Sequence, residues 1–178
     1  MRFKLGVVAL AAAALFTSAA VACGPSRSRE VTSVEIDAPA ARVWDVVANY
    51  RDMAWTGRIV KTESVHGMAP EIAKRRLTFS SGAVLTDTVV SVEPDQRSLT
   101  FRTDEEDWKE LPVEGYVSKI TVREVDGRSI VEWRGAFSRA YLKNDPPPEL
   151  SDDAAIAAVV QFQNASLAGL KRRLESKM

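Results

Sequence analysis

The spacing of hydrophobic residues changes from alternation to a helical repeat near residue 150. Upstream, short segments alternate apolar and polar residues, as half-buried strands do. The pattern predicts seven strands, at residues 31–37, 58–65, 74–80, 83–93, 98–103, 113–125 and 129–141. Asp126-Gly127 between the last two is the strongest hairpin signal in the chain, and Ser81-Gly82 is a second turn signal. Because hairpins dominate, we expect an antiparallel sheet.

A long helix is predicted over residues 151–178, after three prolines that exclude helix and sheet pairing. Ser151 is a good N-cap, and acidic residues at the start and basic residues at the end suit the helix dipole. One face carries, at helical spacing, Ile156, Val160, Gln163, Leu167, Leu170 and Leu174. The amide of Gln163 indicates either a satisfied core residue or a face turned toward a cavity, with Phe162 beside it.

Two short helices are predicted after the first strand. Ala38-Pro39 opens the first helix, since proline is favourable in a first turn. A broken second piece follows over residues 51–55. The layout is α+β, and the economical arrangement is a curved seven-stranded antiparallel sheet around the long C-terminal helix.

The N-terminal 22 residues have the features of a signal peptide. Arg2 and Lys4 precede an apolar run that ends in small residues before Cys23. We therefore divide the chain into a signal peptide at 1–22, a tether at 23–30 and one domain at 31–178. This division predicts export to the periplasm.

Cys23 is the only cysteine, so no intramolecular disulfide is possible. Its position directly after the cleavage site resembles a lipobox, although leucine is usual three residues before the cysteine. Two alternatives remain open, a lipoprotein anchored through Cys23 and a soluble periplasmic protein. Contact with a membrane is expected only through such an anchor.

Charge and composition exclude several classes of function. Removal of residues 1–22 leaves 22 basic against 24 acidic side chains, so no nucleic-acid partner is expected. His66 is the only histidine, which excludes a histidine-based metal cluster, and we place it in an exposed loop. No glycine-rich phosphate loop is present. We expect no cofactor and no metal.

The segment 34–55 resembles the opening of the SRPBCC superfamily, also called START-like or helix-grip proteins. It has a first strand, the Ala38-Pro39 step, a helix with a central tryptophan and a second tryptophan before strand two. Residues that match the polyketide cyclase/dehydrase branch are Arg76, Gly82, Asp87, Leu111-Pro112-Val113, Tyr116, Trp133 and Phe137. The resemblance covers about residues 31–176 and includes the exported MxaD-like proteins, which are associated with periplasmic methanol oxidation.

The resemblance implies a ligand cavity between the sheet and the C-terminal helix. Its expected lining is Arg76, Leu77, Phe79, Asp87, Phe101, Tyr116, Ile120, Trp133, Phe137, Phe162 and Gln163. The function that we predict is non-enzymatic binding of a hydrophobic or amphipathic small molecule. One alternative is a cyclase- or dehydratase-like enzyme in which Asp87, Arg76 and Tyr116 orient a carbonyl and move a proton. Another is an accessory protein to a periplasmic dehydrogenase.

Asp87 is the weak catalytic candidate, because a carboxylate on an apolar face has a raised pKa unless it is paired. The favoured alternative is an ion pair with Arg76 that closes one end of the cavity, since buried charges are normally paired. A strict two-residue turn at Ser81-Gly82 would pair Asp87 with Arg76, and a longer loop would break that register. The acidic segment 104–110 is predicted to be a solvated loop. Trp108 in that loop is either an anchor for a protein partner or a lid over the cavity mouth.

Overall fold

The computed structural model describes residues 24–64, 69 and 72–176. The predicted signal peptide, Cys23 and His66 lie outside the described residues. Within them the strands are β1 (Ser28–Ile36), β2 (Ile59–Ser64), β3 (Lys74–Phe79), β4 (Val84–Glu93), β5 (Ser98–Glu105), β6 (Val113–Val125) and β7 (Arg128–Arg139). The seven predicted strands are therefore confirmed, with small shifts at their ends.

The strands form one antiparallel sheet in the order β1-β7-β6-β5-β4-β3-β2. Hairpins connect neighbours from β2 to β7, and β1 lies at the edge beside β7. Aromatic and aliphatic side chains from one face of the sheet pack against the C-terminal helix. This arrangement is the predicted helix-grip architecture.

Two helices complete the described fold. Helix α1 spans Ala40–Ala48 after Pro39, and a short 3-10 turn, Ala54–Thr56, replaces the predicted second helix. Helix α2 spans Asp152–Glu175, and the Ser151 hydroxyl accepts a hydrogen bond from the Ala154 N–H at 3.1 Å. The predicted N-cap is thus correct.

Gly169 lets α2 approach the 3-10 turn at Ala54–Thr56 closely. A Cβ atom at Gly169 would lie 2.3 Å from the carbonyl oxygen of Trp55, which is backbone and cannot easily yield. No larger residue fits at this crossing without moving the helix.

The two predicted hairpin turns differ in length. Asp126 and Gly127 both have positive φ, 51° and 77°, as a two-residue type I′ turn requires. In the β3–β4 connection, the Phe79 N–H donates to the Ala83 carbonyl at 2.9 Å, and Gly82 has a φ of 88°. Three residues therefore form this second loop, with glycine in the left-handed position.

The three-residue loop decides which arginine is inside. It pairs Arg75 with Asp87 and Arg76 with Thr86. Because side chains alternate along a strand, a shift of one residue moves Arg76 to the outer face and Arg75 to the inner face. The expected Arg76–Asp87 pair was wrong for this reason.

The buried face of α2 is wider than the predicted stripe. Gln163, Leu167, Leu170 and Leu174 are buried as expected, but Ile156 and Val160 are only partly buried. Residues outside the stripe are also buried: Ala155, Val159, Phe162, Ser166 and Gly169. A helix held in a curved sheet is covered on more than one side, so its buried surface exceeds a single row.

The acidic segment 104–110 is not uniformly solvated, contrary to the sequence-based expectation. Asp104 belongs to β5 and accepts a hydrogen bond from the Thr88 hydroxyl at 2.5 Å. The Glu110 side chain is only 8% exposed and pairs with Arg58. Thr88 and Arg58, which hold these carboxylates, lie far from the segment in the sequence.

Candidate functional site

The space between the sheet and α2 is small. A cavity of about 20 Å³ remains there, which is room for about one water molecule. Its walls come from the six strands β2 to β7, the loop between β5 and β6, the 3-10 region and α2. The lining residues are Met53, Ile59, Leu77, Phe79, Leu85, Asp87, Phe101, Thr103, Leu111, Tyr116, Trp133 and Phe162. We call this space the inner cavity.

Aromatic rings fill most of the interior around Trp133. The Trp133 ring lies 5.5 Å from Phe162 and 6.0 Å from Phe101 between centroids, both edge-to-face. Phe79 contacts Phe162 at 5.9 Å, and Tyr116 contacts Phe137 at 5.8 Å. Such edge-to-face pairs add stability beyond the area that they bury. The aromatic candidates from the sequence therefore pack on one another.

A fully buried ion pair forms one wall of the inner cavity. The Arg75 guanidinium donates to the Asp87 carboxylate through Nε at 2.7 Å and Nη2 at 2.5 Å. Its Nη1 donates to the Tyr50 carbonyl at 3.1 Å, and its Cζ lies 5.0 Å from the centre of the Phe101 ring. Both side chains are at most 1% exposed. Asp87 is therefore a paired carboxylate, as the sequence predicted, but its partner is Arg75.

Tyr116 belongs to a chain of hydrogen bonds that joins the sheet to α2. The Gln163 Nε2 donates to the Tyr116 hydroxyl at 2.9 Å, and the Thr32 hydroxyl donates to Gln163 Oε1 at 3.0 Å. Burial raises the pKa of Tyr116 to about 12, although hydrogen bonds with Ser118, Gln163 and Trp133 act in the other direction. The phenol therefore stays protonated at physiological pH.

Gly135 makes room for this chain. A Cβ atom there would lie 2.8 Å from both Gln163 Nε2 and the Tyr116 ring. Because Gly135 lies on β7 opposite Ser118, it leaves a gap in the inner face that the amide fills. Gln163 is thus a satisfied core residue, one of the two predicted alternatives.

Two tryptophan N–H groups in the interior have different surroundings. Trp133 Nε1 donates to the Ser118 hydroxyl at 3.0 Å. Trp55 is 3% exposed and packs on Trp133, yet its Nε1 has no hydrogen-bond partner among the described residues. Buried donors without partners are uncommon in folded proteins.

An ion pair lies next to the inner cavity, on the side of Phe162. Arg58 Nη2 contacts Glu110 Oε1 at 2.5 Å, and the Ser81 hydroxyl donates to Glu110 Oε2 at 2.7 Å. Arg58 also lies over the Phe162 ring, with Cζ 6.0 Å from its centre. One carboxylate therefore ties together β2, the β3–β4 turn and the loop after β5.

Most of the predicted lining residues are near the inner cavity. Seven of them line it: Leu77, Phe79, Asp87, Phe101, Tyr116, Trp133 and Phe162. Ile120, Phe137 and Gln163 are buried in the surrounding core. Arg76 is exposed on the opposite face of β3 and is not part of the site. Whether any of them binds a ligand stays a prediction.

Sequence reasoning missed several residues of this region. They are Thr32, Met53, Ile59, Arg75 and Thr103. A three-residue turn over Ser80–Gly82 would have indicated Arg75, since alternation then places it inside. The contact between Thr32 and Gln163 joins residues 131 positions apart and has no local signal.

The described residues include no group of three or more His, Cys, Asp or Glu side chains able to hold a metal ion. In the same part of the chain, no helix is long and apolar enough to cross a membrane.

Residues 29–175 match the family described as polyketide cyclase / dehydrase and lipid transport. The chain belongs to this family. The resemblance inferred from the tryptophan and glycine pattern is therefore confirmed. A comparison with curated protein sequences gave no match.

Solved structures share the fold of this family member. XoxI from Bacillus cereus is 23% identical, with a TM-score of 0.71 over 83% of this chain and 95% of that protein. The Zhui aromatase/cyclase from Streptomyces sp. R1128 is 20% identical, with a TM-score of 0.69 over 84% of this chain and 94% of that one. The di-domain ARO/CYC BexL from the BE-7585A biosynthetic pathway is 18% identical, with a TM-score of 0.68 over 83% of this chain and 46% of that one. At these identities the likeness concerns the fold alone.

Proposed function

We propose that this protein is exported and binds a hydrophobic or amphipathic small molecule between its sheet and α2 without catalysing a reaction. The observation that carries the proposal is the pairing of the polar groups at the inner cavity. Asp87 is held by Arg75, and the Tyr116 hydroxyl is held by Gln163. A general acid or base must be able to exchange a proton with its substrate. Here the Asp87 carboxylate is bonded to Arg75, and the Tyr116 hydroxyl is bonded to Gln163. The rest of the lining is mainly apolar, which suits an apolar ligand.

A ligand larger than water requires side chains to move. Phe162 is 7% exposed, and Arg58 of the Arg58–Glu110 pair lies over its ring. Rotation of Phe162 would enlarge the inner cavity at its accessible end. Phe162→Ala should therefore increase the occupancy of an apolar ligand in the interior.

The direct test is native mass spectrometry of residues 24–178, compared with the denatured mass. An extra mass that extracts into organic solvent would establish a carrier and identify its ligand class. Phe162→Ala should raise this occupancy, and Leu170→Ala is the matched control, since Leu170 is buried on the same helix but does not line the cavity. Equal occupancy in both variants would argue against binding at the inner cavity.

Export and anchoring have their own test. The support is the sequence of residues 1–23, with its charged start, apolar run and Cys23. Expression of the full chain with labelled palmitate, followed by cell fractionation, separates the two alternatives. A labelled membrane fraction that Cys23→Ser abolishes supports the lipoprotein, and an unlabelled periplasmic product supports the soluble form.

A second candidate function is an accessory role to a periplasmic dehydrogenase. The observation that favours it is Trp108, which is 49% exposed in the loop after β5. Co-purification with a larger enzyme should then be lost in Trp108→Ala. If no enzyme is retained by the unmodified protein, this alternative fails.

A further inference from the structure

A second, much larger cavity lies outside the sheet–helix interior. It has a volume of about 820 Å³ and lies between the loop 106–112 and the start of α2. We call it the outer groove, and it is lined by Glu106, Asp107, Trp108, Lys109, Glu110, Pro112, Glu149, Leu150, Ala154 and Ala158. A volume of this size is in the range of pockets that hold small organic molecules.

Part of the lining of the outer groove is apolar. Pro112 directly precedes β6, Leu150 comes from the 3-10 turn before α2, and Ala158 comes from α2 itself. The exposed ring of Trp108 adds an aromatic surface. Exposed apolar surface gathered into a concave site favours the binding of an apolar group.

The rim carries more negative than positive charge. Four carboxylates line the groove, and Lys109 is the one basic residue among its lining. Arg58 neutralises Glu110 at 2.5 Å. Among the residues that the structure describes, Glu106, Asp107 and Glu149 have no basic side chain within salt-bridge distance. The groove therefore presents three carboxylates that form no ion pair among the described residues, against one lysine.

Glu106 gives independent support for this imbalance. Its Oε1 accepts the Gly115 N–H at 2.9 Å. Burial and the charge of Glu114 raise the pKa of Glu106, although backbone N–H groups oppose the shift. The nearby Arg27 does not pair with it and instead donates to backbone carbonyls of Gly115 and Ala136. The other charged groups on the groove are Asp107, Lys109, Glu110 and Glu149.

We propose that the outer groove binds an amphipathic organic cation, with its ammonium group at these carboxylates and against Trp108. Its apolar part would lie along Pro112, Leu150 and Ala158. A cation over an exposed indole face gains an attraction that a neutral or anionic group lacks. The proposal goes beyond the proposed function, because it adds a second ligand site outside the interior and does not depend on binding at the inner cavity.

The groove and the inner cavity share one wall. Glu110 and Pro112 line the groove, whereas Leu111 between them lines the cavity. On α2, Ala158 lines the groove, and Phe162, one turn later, lines the cavity. Binding in the groove therefore needs no opening of the interior and can be measured separately.

The test is isothermal titration calorimetry of residues 24–178 at low ionic strength, with decyltrimethylammonium below its micelle concentration. Decyl sulfate has the same chain and the opposite charge. We expect the cation to bind at least about tenfold more tightly, and Trp108→Ala to weaken it about two- to thirtyfold. Binding should also weaken as the pH falls through the raised pKa of Glu106, because the carboxylate then loses its charge.

Charge variants locate the site. Glu149→Gln removes an exposed groove carboxylate and should weaken cation binding about two- to fivefold. Asp95→Asn is the matched control, because Asp95 is exposed in the β4–β5 connection, at the other end of β5, and should leave binding unchanged.

Four outcomes would overturn the proposal. Three of them are equal binding of the cation and the sulfate, no effect of Trp108→Ala and Glu149→Gln, and no binding of the cation at all. Groove binding by a basic peptide in place of the alkylammonium ion would also overturn it, in favour of a protein partner. In each case, native mass spectrometry of the interior ligand still decides the proposed function independently.

Discussion

The inner cavity and the outer groove lie on two sides of one loop, and their polar groups have opposite surroundings. In the interior, Asp87 and Tyr116 have buried partners, and about 20 Å³ of space remains. In the groove, three carboxylates form no ion pair within the part of the chain that the structure describes, and the volume is about 820 Å³. A buried charge must be paired because it has lost its hydration, whereas a carboxylate at an open rim keeps contact with water. Changes in the interior should therefore affect stability, and changes in the groove should affect binding.

The largest effect is expected for Asp87→Asn. This change leaves the Arg75 charge buried without its counter-ion, which costs about 3–5 kcal/mol of unfolding free energy. Urea denaturation measures it. Glu35→Gln breaks an exposed ion pair with Arg128 and is the control, with little expected change in the free energy of unfolding because water screens the pair.

A partial rescue would sharpen the interpretation of that variant. The double change Arg75→Met and Asp87→Leu removes both charges and should recover much of the lost stability. If Asp87→Asn is as stable as Glu35→Gln, the pair is not the structural element that we describe. Turnover assays of the enzyme alternative need this stability control, since a loss of activity in Asp87→Asn would otherwise reflect unfolding.

The next largest effect is expected for Tyr116→Phe, which removes the acceptor of the Gln163 amide. An unpaired buried amide donor costs about 1–3 kcal/mol. The pH dependence has a definite sign. Because the pKa of Tyr116 is raised to about 12 in the folded state, its contribution is present below pH 10 and is lost as pH rises toward 12.

The free energy of unfolding, measured at pH 9 and at pH 11.5, checks this pH dependence of the Tyr116 contribution. The unmodified protein should lose more stability between these values than Tyr116→Phe does. An equal loss in both proteins would show that the phenol is not protected by the interior.

A comparable effect is expected for Gly135→Ala. Its new Cβ would collide with Gln163 and Tyr116 at 2.8 Å, and overpacking of this kind costs about 1–3 kcal/mol. In a protein that already carries Gln163→Ala, the collision with the amide is absent. Gly135→Ala should therefore lower the free energy of unfolding less in that variant than in the unmodified protein. Additive losses in this double-mutant cycle would contradict the proposed contact.

The smallest effect on stability is expected for Trp108→Ala in the outer groove. The side chain is half exposed, so the free energy of unfolding should change by about 0.5 kcal/mol or less. The same variant should weaken binding of the alkylammonium probe. A large loss of stability would mean that Trp108 is a core residue and would remove the contrast between the two regions.

The sequence predicted those features that local patterns determine. Strand alternation placed Tyr116, Ser118 and Ile120 on one face of β6, and all three are buried. The positive φ values at Asp126 and Gly127 follow from residue types that tolerate them. Alternation cannot decide the length of a turn that contains Ser81-Gly82, so the identity of the inner arginine was wrong.

The volume of the inner cavity could not be predicted from the sequence. Family resemblance implied a lining, and much of that lining is present. The free volume, however, depends on how the rings of Phe101, Trp133 and Phe162 pack in three dimensions. The groove was missed because it joins a loop and a helix start that are about forty residues apart in the chain.

The hydrogen bond from Thr32 to Gln163 has a consequence for the timing of folding. It joins the first strand to the last helix across 131 residues, and α2 packs directly on β1. Contacts of such long range form late, because a long loop must close before they give stability. During synthesis the inner face of β1 therefore stays uncovered until α2 has left the ribosome. A chain that stops before residue 152 would expose the aromatic face of its sheet and should aggregate.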